Sequence, residues 1–223
     1  MADAAMLLHT WESAQALPPA ARLLVLAAPE AADLPMGAAV ALLLRRHRVL
    51  FGPALLGIAE CPECGTRLHV ACDVDTLLRA PVPEQGVHAI ETGGAELRFR
   101  LPTLTDLEAV EAEPDEAQAA RLLLARCLID EAADASLHDR IAERMAELDP
   151  LADAELALQC DSCGARFTRA LDLGAFLWRE IEARVMRLFG QVHALASAYG
   201  WREADILAMS PARRQVYLDL VGA

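Results

Sequence analysis

The chain has 223 residues, of which 55% are hydrophobic, and its 33 acidic and 20 basic residues give a formal net charge of −13. A chain of this length buries about 70% of the surface that it exposes when unfolded, so its core does not require disulfides. The negative charge repels a phosphate backbone, and we therefore expect no nucleic-acid partner.

The start of the chain carries no targeting signal that we recognise. Residues 1–10 lack the positively charged region of a signal peptide, and the apolar run 37–44 is too short to span a bilayer. We therefore expect a cytoplasmic protein with reduced cysteines and no membrane partner.

Residues 1–52 are predicted to form an N-terminal helical lobe. Alanine-rich stretches are interrupted by Pro18-Pro19, Pro29 and Pro35, and proline can begin a helix but not lie within one. The pattern predicts two or three helices. The basic cluster Arg45 to Arg48 is interpreted as a solvated helix end, where cations complement the helix dipole.

Residues 53–101 are predicted to form the first half of a zinc ribbon and a small sheet. Apolar residues alternate on both sides of the first cysteine pair, with Leu56 and Ile58 before it and Leu68 and Val70 after it. Two more strands are predicted at 87–91 and 96–101, with Gly93-Gly94 between them.

Residues 102–150 are predicted to be a helical insertion, and residues 151–171 the second half of the ribbon. Thr103 and Asp106 have the spacing of a capping box, although Asp replaces the usual Glu. Two apolar stripes then predict two helices. One stripe comprises Leu122, Leu123, Cys127 and Leu128, and the other comprises Ile141, Met145 and Leu148.

Residues 172–223 are predicted to form a long C-terminal helix followed by two short helices. Apolar residues recur at helical spacing from Leu173 to Tyr199, and Gly200 is expected to end the helix. His193 is interpreted as a structural or surface histidine. The predicted fold class is mainly α with a small β zinc-ribbon-like sheet, containing a split four-cysteine zinc site with a helical insertion.

Two Cys-x-x-Cys-Gly sequences are the strongest chemical signal. Each predicts a tight turn in which two thiolates point the same way and the glycine adopts a conformation that a Cβ would hinder. Two such turns complete a tetrahedron, and four thiolates leave no open position, so we expect one structural Zn²⁺. The predicted metal ligands are Cys61, Cys64, Cys160 and Cys163.

Other interpretations of the cysteines stay open because 95 residues separate the pairs, far more than in a usual zinc ribbon. The pairs could be unconnected, the first could be a thioredoxin-like redox motif, or the four could bind iron as in rubredoxin. A local site could also combine the first pair with His69 and Cys72. If 67–72 is a strand, however, those two side chains lie on opposite faces. Cys72 and Cys127 are therefore interpreted as core residues.

Common catalytic signatures are missing from the sequence. A phosphate-binding loop is excluded because the chain has no lysine, and neither Gly-x-Ser-x-Gly nor His-Glu-x-x-His occurs. No histidine is followed two residues later by glutamate, as a zinc deaminase requires. We therefore expect a protein that is not an enzyme, with no catalytic residues and no small-molecule substrate.

Several stretches carry a resemblance to a known family. They include Phe176 to Ile181, Val192 to Leu195, Tyr199-Gly-Trp-Arg-Glu-Ala-Asp-Ile-Leu207 and Ser210-Pro-Ala-Arg-Arg-Gln-Val-Tyr-Leu218, together with Leu50-Phe51-Gly52, Leu101-Pro102-Thr103 and Asp106. With these motifs the chain resembles the T-even-phage-type baseplate hub assembly chaperones, over much of residues 45–221. The resemblance implies a baseplate assembly chaperone or baseplate component of a contractile tail or contractile injection system, with baseplate hub or wedge proteins as partners.

The segment after Gly200 has more apolar surface than two short helices can bury against each other. This surface packs either on the long helix or on another protein, and the baseplate resemblance favours a partner. Aromatic side chains contribute most to such docking. The predicted partner-binding residues are Trp201, Ile206, Leu207 and Tyr217. The alternative function is a zinc-ribbon transcriptional regulator in which Arg202, Arg213 and Arg214 contact DNA phosphates.

Overall fold

The computed structural model describes residues 4–92, 95–130 and 135–222, and the predicted Gly93-Gly94 turn lies outside them. The chain divides into two compact units, one formed by Met1–Leu17 with Ala175–Ala223 and the other by Pro18–Gly174. The second, larger unit contains 26 acidic residues and 14 arginines, so it carries −12 of the net charge of −13. The acidity of the protein is therefore a property of the larger unit.

The first three helices are α1 (Ala4–Ala14), α2 (Pro19–Ala27) and α3 (Met36–Phe51), with a short 3-10 turn at Pro29–Ala31. Pro18 and Pro19 lie at the start of α2, Pro29 begins the 3-10 turn, and Pro35 directly precedes α3. At these positions the missing proline N–H removes no hydrogen bond from a helix. Arg45, Arg46 and Arg48 are exposed at the end of α3, as predicted, but His47 is buried. It faces inward because the helix places it on the side of Leu43 and Leu44.

The larger unit continues with α4 (Val74–Leu77), α5 (Leu104–Val110), α6 (Glu116–Cys127) and α7 (Ala135–Leu148). The predicted capping box is present at the start of α5, where the Thr103 hydroxyl accepts from the Asp106 N–H and the Asp106 carboxylate accepts from the Thr103 N–H. Asp replaces Glu without loss of the reciprocal bonds. Leu122 is 40% exposed, because α6 turns Leu124 and Cys127 inward instead.

A carboxylate from a distant part of the chain caps α3. Pro35 offers no side-chain cap, and the Asp149 Oδ2 accepts a hydrogen bond of 2.8 Å from the Gly37 N–H. The carboxylate lies just beyond α7 and is 2% exposed, and burial raises its pKa. It is stabilised there by the positive end of the helix dipole. This bond ties the end of the insertion to the start of α3.

We expect Gly37→Ala to lower the free energy of unfolding by about 2 to 4 kcal/mol, because overpacking and loss of a buried hydrogen bond combine. A Cβ at Gly37 would lie 1.8 Å from Asp149 Oδ1 and 3.1 Å from the Leu151 Cβ, so the cap must move. Urea unfolding measures the change. Gly190→Ala is the matched control, because a Cβ there meets nothing within 4 Å and alanine favours a helix. Equal stability of the two variants would contradict the tertiary cap.

The strands form separate two-stranded antiparallel ribbons among the residues described, rather than the single small sheet that the sequence predicted. The third and fourth strands hydrogen-bond to each other and pack on α6 and α7. They form a ribbon that is separate from the two ribbons that carry the cysteines. The strands are β1 (Ala54–Glu60), β2 (Arg67–Asp73), β3 (Val87–Thr92), β4 (Ala95–Arg100), β5 (Glu155–Gln159) and β6 (Arg166–Ala170).

The alternation predicted around the first cysteine pair is present, but β1 presents the other face inward. Leu55 is 3% exposed, whereas Leu56 and Ile58 are 67% and 65% exposed. In β2 the half-buried residues are Leu68, Val70 and Cys72, and His69 is exposed on the opposite face. A period of two fixes which residues share a face but does not say which face is covered.

One apolar cluster connects β4 with α6 and α7. Phe99, Cys127 and Ile141 are fully buried in it, so Cys127 is a core residue as predicted. Cys72 is only half-buried and lies outside this cluster. The buried members of the cluster are Leu97, Phe99, Leu101, Leu124, Cys127, Ile141 and Met145.

The smaller unit contains α1, most of α8 (Leu173–Tyr199), α9 (Glu203–Leu207) and α10 (Pro211–Val221). Gly200, at φ +68°, ends α8 as predicted, and Ser210 caps α10. His193 is exposed. Leu195, Ile206 and Leu218 form a buried cluster that joins the three C-terminal helices. The protein is thus mainly helical with small antiparallel ribbons, which confirms the coarse fold class.

No helix in the described ranges combines the length and the apolar character needed to cross a membrane.

Candidate metal centre

The first cysteine pair lies in the turn between β1 and β2. The strands pair up to Glu60 and Arg67, which leaves a six-residue turn. Inside it the Cys61 N–H donates to the Thr66 carbonyl and the Gly65 N–H donates to the Cys61 carbonyl, both at 3.0 Å. Gly65 has a φ of +70°, which a side chain would strain. These bonds aim both sulfurs to the same side of the turn.

The second pair repeats this turn between β5 and β6. The strands pair up to Gln159 and Arg166, and again six residues connect them. The Cys160 N–H donates to the Ala165 carbonyl and the Gly164 N–H to the Cys160 carbonyl, both at 2.8 Å. Gly164 has a φ of +76°. The two turns therefore share the same hydrogen bonds and the same left-handed glycine.

The two turns bring their four sulfurs into one cluster, in which all four atoms lie within 4.8 Å of one another. The Sγ atoms of Cys61 and Cys163 are 3.7 Å apart, and those of Cys64 and Cys160 are 3.6 Å apart. A tetrahedral ion with metal–sulfur bonds of about 2.3 Å requires sulfur separations of about 3.8 Å. A disulfide requires about 2.05 Å, so the cysteines are unpaired thiols, and their spacing could hold one metal ion.

The donor set suits a structural metal ion. Four sulfurs use all positions of a tetrahedral ion, which leaves none for water or substrate. Cys61 and Cys160 are 2% and 1% exposed, while the second cysteine of each pair is exposed. A tetrahedral ion in this cluster would therefore join two ribbons and would have no open coordination position.

The thiols in the cluster have divergent pKa values. Hydrogen bonds from the Thr66 side chain and backbone lower the pKa of Cys64 to about 6. At Cys163 the backbone hydrogen bond from Ala165 acts downward, but the hydrogen bonds with Cys64 and the other sulfurs, together with burial, raise the pKa to about 12. The Cys163 thiol thus retains its proton beside the other sulfurs, and a bound divalent cation would favour its thiolate form.

The competing local site is not formed. His69 and Cys72 lie outside the sulfur cluster, and β2 directs their side chains to opposite faces. The Cys72 Sγ instead lies 4.0 Å from the Asp73 carbonyl oxygen, and burial raises the pKa of this thiol. Alternation along a strand therefore decides between the two predicted ligand sets.

A hydrogen bond between the two ribbons braces the turns next to the cluster. The Arg169 Nη2 on β6 donates to the Glu60 carbonyl on β1 at 3.0 Å. The Arg169 guanidinium also lies 5.5 Å from the Phe167 ring centroid on the same strand. No sequence pattern indicates this brace, because it depends on how the ribbons meet in space.

Of the predicted partner-binding residues, Trp201, Leu207 and Tyr217 are partly exposed, whereas Ile206 is fully buried in the core of the smaller unit. Ile206 is buried because α9 turns it toward Leu195 and Leu218. The Trp201 ring stacks on Tyr199 at 4.5 Å and meets Tyr217 edge-on at 4.8 Å.

Two aliphatic residues of α10, which belong to the predicted apolar surface but not to the four predicted binding residues, lie beside these rings in the chain. Val216 and Leu220 are 58% and 71% exposed, and they follow one another at helical spacing. We call the set Tyr199, Trp201, Val216, Tyr217 and Leu220 the C-terminal aromatic surface. Tyr199, Val216 and Leu220 are exposed, and Trp201 and Tyr217 are partly buried.

Arg214 does not reach the surface. It is 5% exposed, and its guanidinium donates to the Gln191 side chain and to the carbonyls of Leu207 and Met209, the last at 2.7 Å. Desolvation lowers its pKa. Arg214 therefore secures the turn between α9 and α10 rather than offering a charge to a phosphate.

Comparison with protein-family models, with curated proteins and with solved structures finds no match for this chain. The site is accordingly interpreted from its own geometry.

Proposed function

We propose that the four-cysteine cluster binds one structural Zn²⁺ through Cys61, Cys64, Cys160 and Cys163. The observation that carries this proposal is the sulfur geometry, with separations of 3.6 and 3.7 Å across two equivalent turns. A closed site of four thiolates stabilises the fold and performs no chemistry. We therefore propose a protein that is not an enzyme and that acts by binding other proteins.

The partners that we propose are baseplate hub or wedge proteins of a phage-like contractile tail or contractile injection system, with this chain as assembly chaperone or baseplate component. The support is the sequence resemblance of the C-terminal stretches, which fall on α8, α9 and α10. The C-terminal aromatic surface, on the same helices, adds three clustered rings, of which Tyr199 is exposed and two are partly buried, and exposed aliphatic side chains. Such side chains dominate protein interfaces.

Features of the same helices argue against the alternative function, a DNA-binding regulator. Its proposed phosphate contacts include Arg214, whose guanidinium is buried and bonded to carbonyls. Helix α9 has five residues, and the net charge of the chain is −13. A DNA-binding surface needs exposed cations in number, because counterion release supplies most of the affinity.

We expect Val216→Glu combined with Leu220→Glu to weaken capture of baseplate hub or wedge proteins at least tenfold, because charges would replace apolar contacts. Both side chains are exposed, so the variant should fold. Co-expression with the hub and wedge proteins followed by quantitative affinity capture measures the effect. Truncation after Gly200 is a poorer test, since it removes Ile206 and Leu218 from the core.

Met186→Glu is the matched control, because Met186 is a 48% exposed apolar residue elsewhere in the smaller unit. It should capture the partners as the unmodified chain does. Failure of the unmodified chain to capture any hub or wedge protein would overturn the baseplate assignment. Undiminished capture by the double variant would place the binding surface elsewhere.

A further inference from the structure

Within the described residues, strand β3 has a strand partner on one side only. Among the residues that the structure describes, it pairs with β4. The other side of β4 is occupied, because Phe99 bridges to Leu128 and the Ile129 N–H donates to the Arg98 carbonyl at 3.0 Å. Alternate residues of β3 thus direct their N–H and C=O groups away from the ribbon. Such an edge is a template for an added strand.

Two carboxylates face each other across this ribbon. Glu91 on β3 and Glu96 on β4 are directly opposite in the register, and both are exposed. Like charges in this position destabilise a ribbon. The nearby Arg98 is bound to Asp130 at 2.7 Å. Within the described ranges neither glutamate forms an ion pair, so the pair presents negative charge that a cation would neutralise.

An apolar cleft lies at the opposite end of β3. Its volume is about 260 Å³, and Val87 and Ile129 on its walls are 61% and 43% exposed. Pockets for small molecules usually measure about 300 to 1,000 Å³, so this cleft suits a single side chain better than a whole ligand. Its apolar lining residues are Pro35, Val87, Leu101 and Ile129.

The cleft and the carboxylate pair have a fixed spacing along one face of the strand. Val87, Ala89 and Glu91 are exposed, whereas His88 and Ile90 between them are half-buried. Val87 and Glu91 are four residues apart, which corresponds to about 13 Å in a strand. An added strand would present its own residues at the same spacing.

We propose that β3 docks an extended basic segment of a partner protein, which adds as a strand to the open edge. The segment places an apolar side chain in the cleft and, four residues along, a Lys or Arg against Glu91 and Glu96. The net charge of −12 on the larger unit favours such a segment over a second copy of this chain, whose own charge would repel it. The proposed β3 docking surface belongs to the larger unit and shares no residue with the C-terminal aromatic surface.

The test selects heptapeptides from a random library on the immobilised full-length protein and measures the enriched peptides by fluorescence anisotropy. We expect enrichment of peptides with an apolar residue and, four positions along, Lys or Arg. Glu91→Arg should weaken their binding at least tenfold and should select acidic residues at that position. N-methylation of alternate peptide nitrogens should abolish binding, because an added strand needs those donors.

Glu108→Arg on α5 is the matched control, since it changes the same charge at an exposed site and should leave the affinity unaltered. Glu91→Arg should fold at least as well as the unmodified chain, because it removes the repulsion with Glu96. Enrichment without the apolar and basic pair would overturn the proposal, as would equal affinity for the Glu91→Arg and Glu108→Arg proteins.

Discussion

Purified protein is expected to contain about one zinc per chain, and the variant carrying Cys160→Ser and Cys163→Ser should contain almost none. Either turn alone offers two thiolates, and only both together close a tetrahedron. Structural zinc sites contribute about 10 kcal/mol or more to folding, so the variant should also lose cooperative unfolding and solubility. Metal analysis by mass spectrometry and thermal denaturation measure the two effects.

Cys72→Ser is the control for general thiol loss, because this half-buried residue lies outside the sulfur cluster. It should retain the full metal content. Zinc that stays at one equivalent in the Cys160→Ser, Cys163→Ser variant would exclude the shared site. One equivalent of iron in place of zinc would keep the four ligands and change the metal.

Replacement of Asp106 by alanine is expected to lower the free energy of unfolding by about 3 to 5 kcal/mol, because it removes a buried carboxylate that binds two partly exposed arginines and completes a helix cap. Asp106 is 1% exposed, and its carboxylate accepts from the Arg100 Nη2 at 2.8 Å and the Arg126 Nε at 3.0 Å. It also completes the cap of α5 with Thr103. Denaturant unfolding followed by circular dichroism measures the loss.

Asp130→Ala is the matched control, because this carboxylate also binds an arginine, at 2.7 Å from Arg98, but lies in an exposed pair. Exposed pairs contribute little, so the variant should lose only a small fraction of the stability that Asp106→Ala loses. Equal losses of stability in the two variants would show that burial of Asp106 does not increase its contribution to the free energy of unfolding.

The same carboxylate makes stability depend on pH. Burial acts to raise the pKa of Asp106, but hydrogen bonds from Arg100 and Thr103 outweigh it and hold the pKa well below the ordinary value of 3.8. Folding is therefore favoured by ionised Asp106 above pH 3.8, and this contribution is lost as the pH falls below that value. The Asp106→Asn variant should lose this part of the acid sensitivity.

Local signals in the sequence were sufficient to predict most of the elements. Proline positions predicted the starts of α2 and α3, Gly200 predicted the end of α8, and Thr103 with Asp106 predicted the cap of α5. In each case a few neighbouring residues determine the backbone conformation, so no tertiary information is needed. Each cysteine turn was predicted for the same reason, because six residues specify it. That the two turns meet was predicted from chemistry instead, since four thiolates complete one tetrahedron.

Features that depend on distant contacts could not be predicted. The Asp149 cap of α3 joins residues 112 positions apart, and the Arg169 brace joins residues 109 apart. The alternating pattern in β1 correctly predicted that Leu56 and Ile58 share one face of the strand. The face that is buried, however, is the opposite one, which carries Leu55. The separation of the ribbons likewise follows from packing of β4 on α6 and α7, which no strand pattern encodes.

The split between the two cysteine turns has a consequence for the order of events on the ribosome. The first turn is synthesised 95 residues before the second. At about 5 to 20 residues per second, its two thiols wait about 5 to 20 s for their partners. During that interval the chain from α4 to α7 emerges without a completed metal centre. The core around Phe99, Cys127 and Ile141 is complete in sequence before Cys160 appears, so it can form first and bring the two turns together. Binding of the proposed zinc would then follow formation of this core, and nascent chains shorter than 160 residues should bind zinc weakly while already protecting that core from proteolysis.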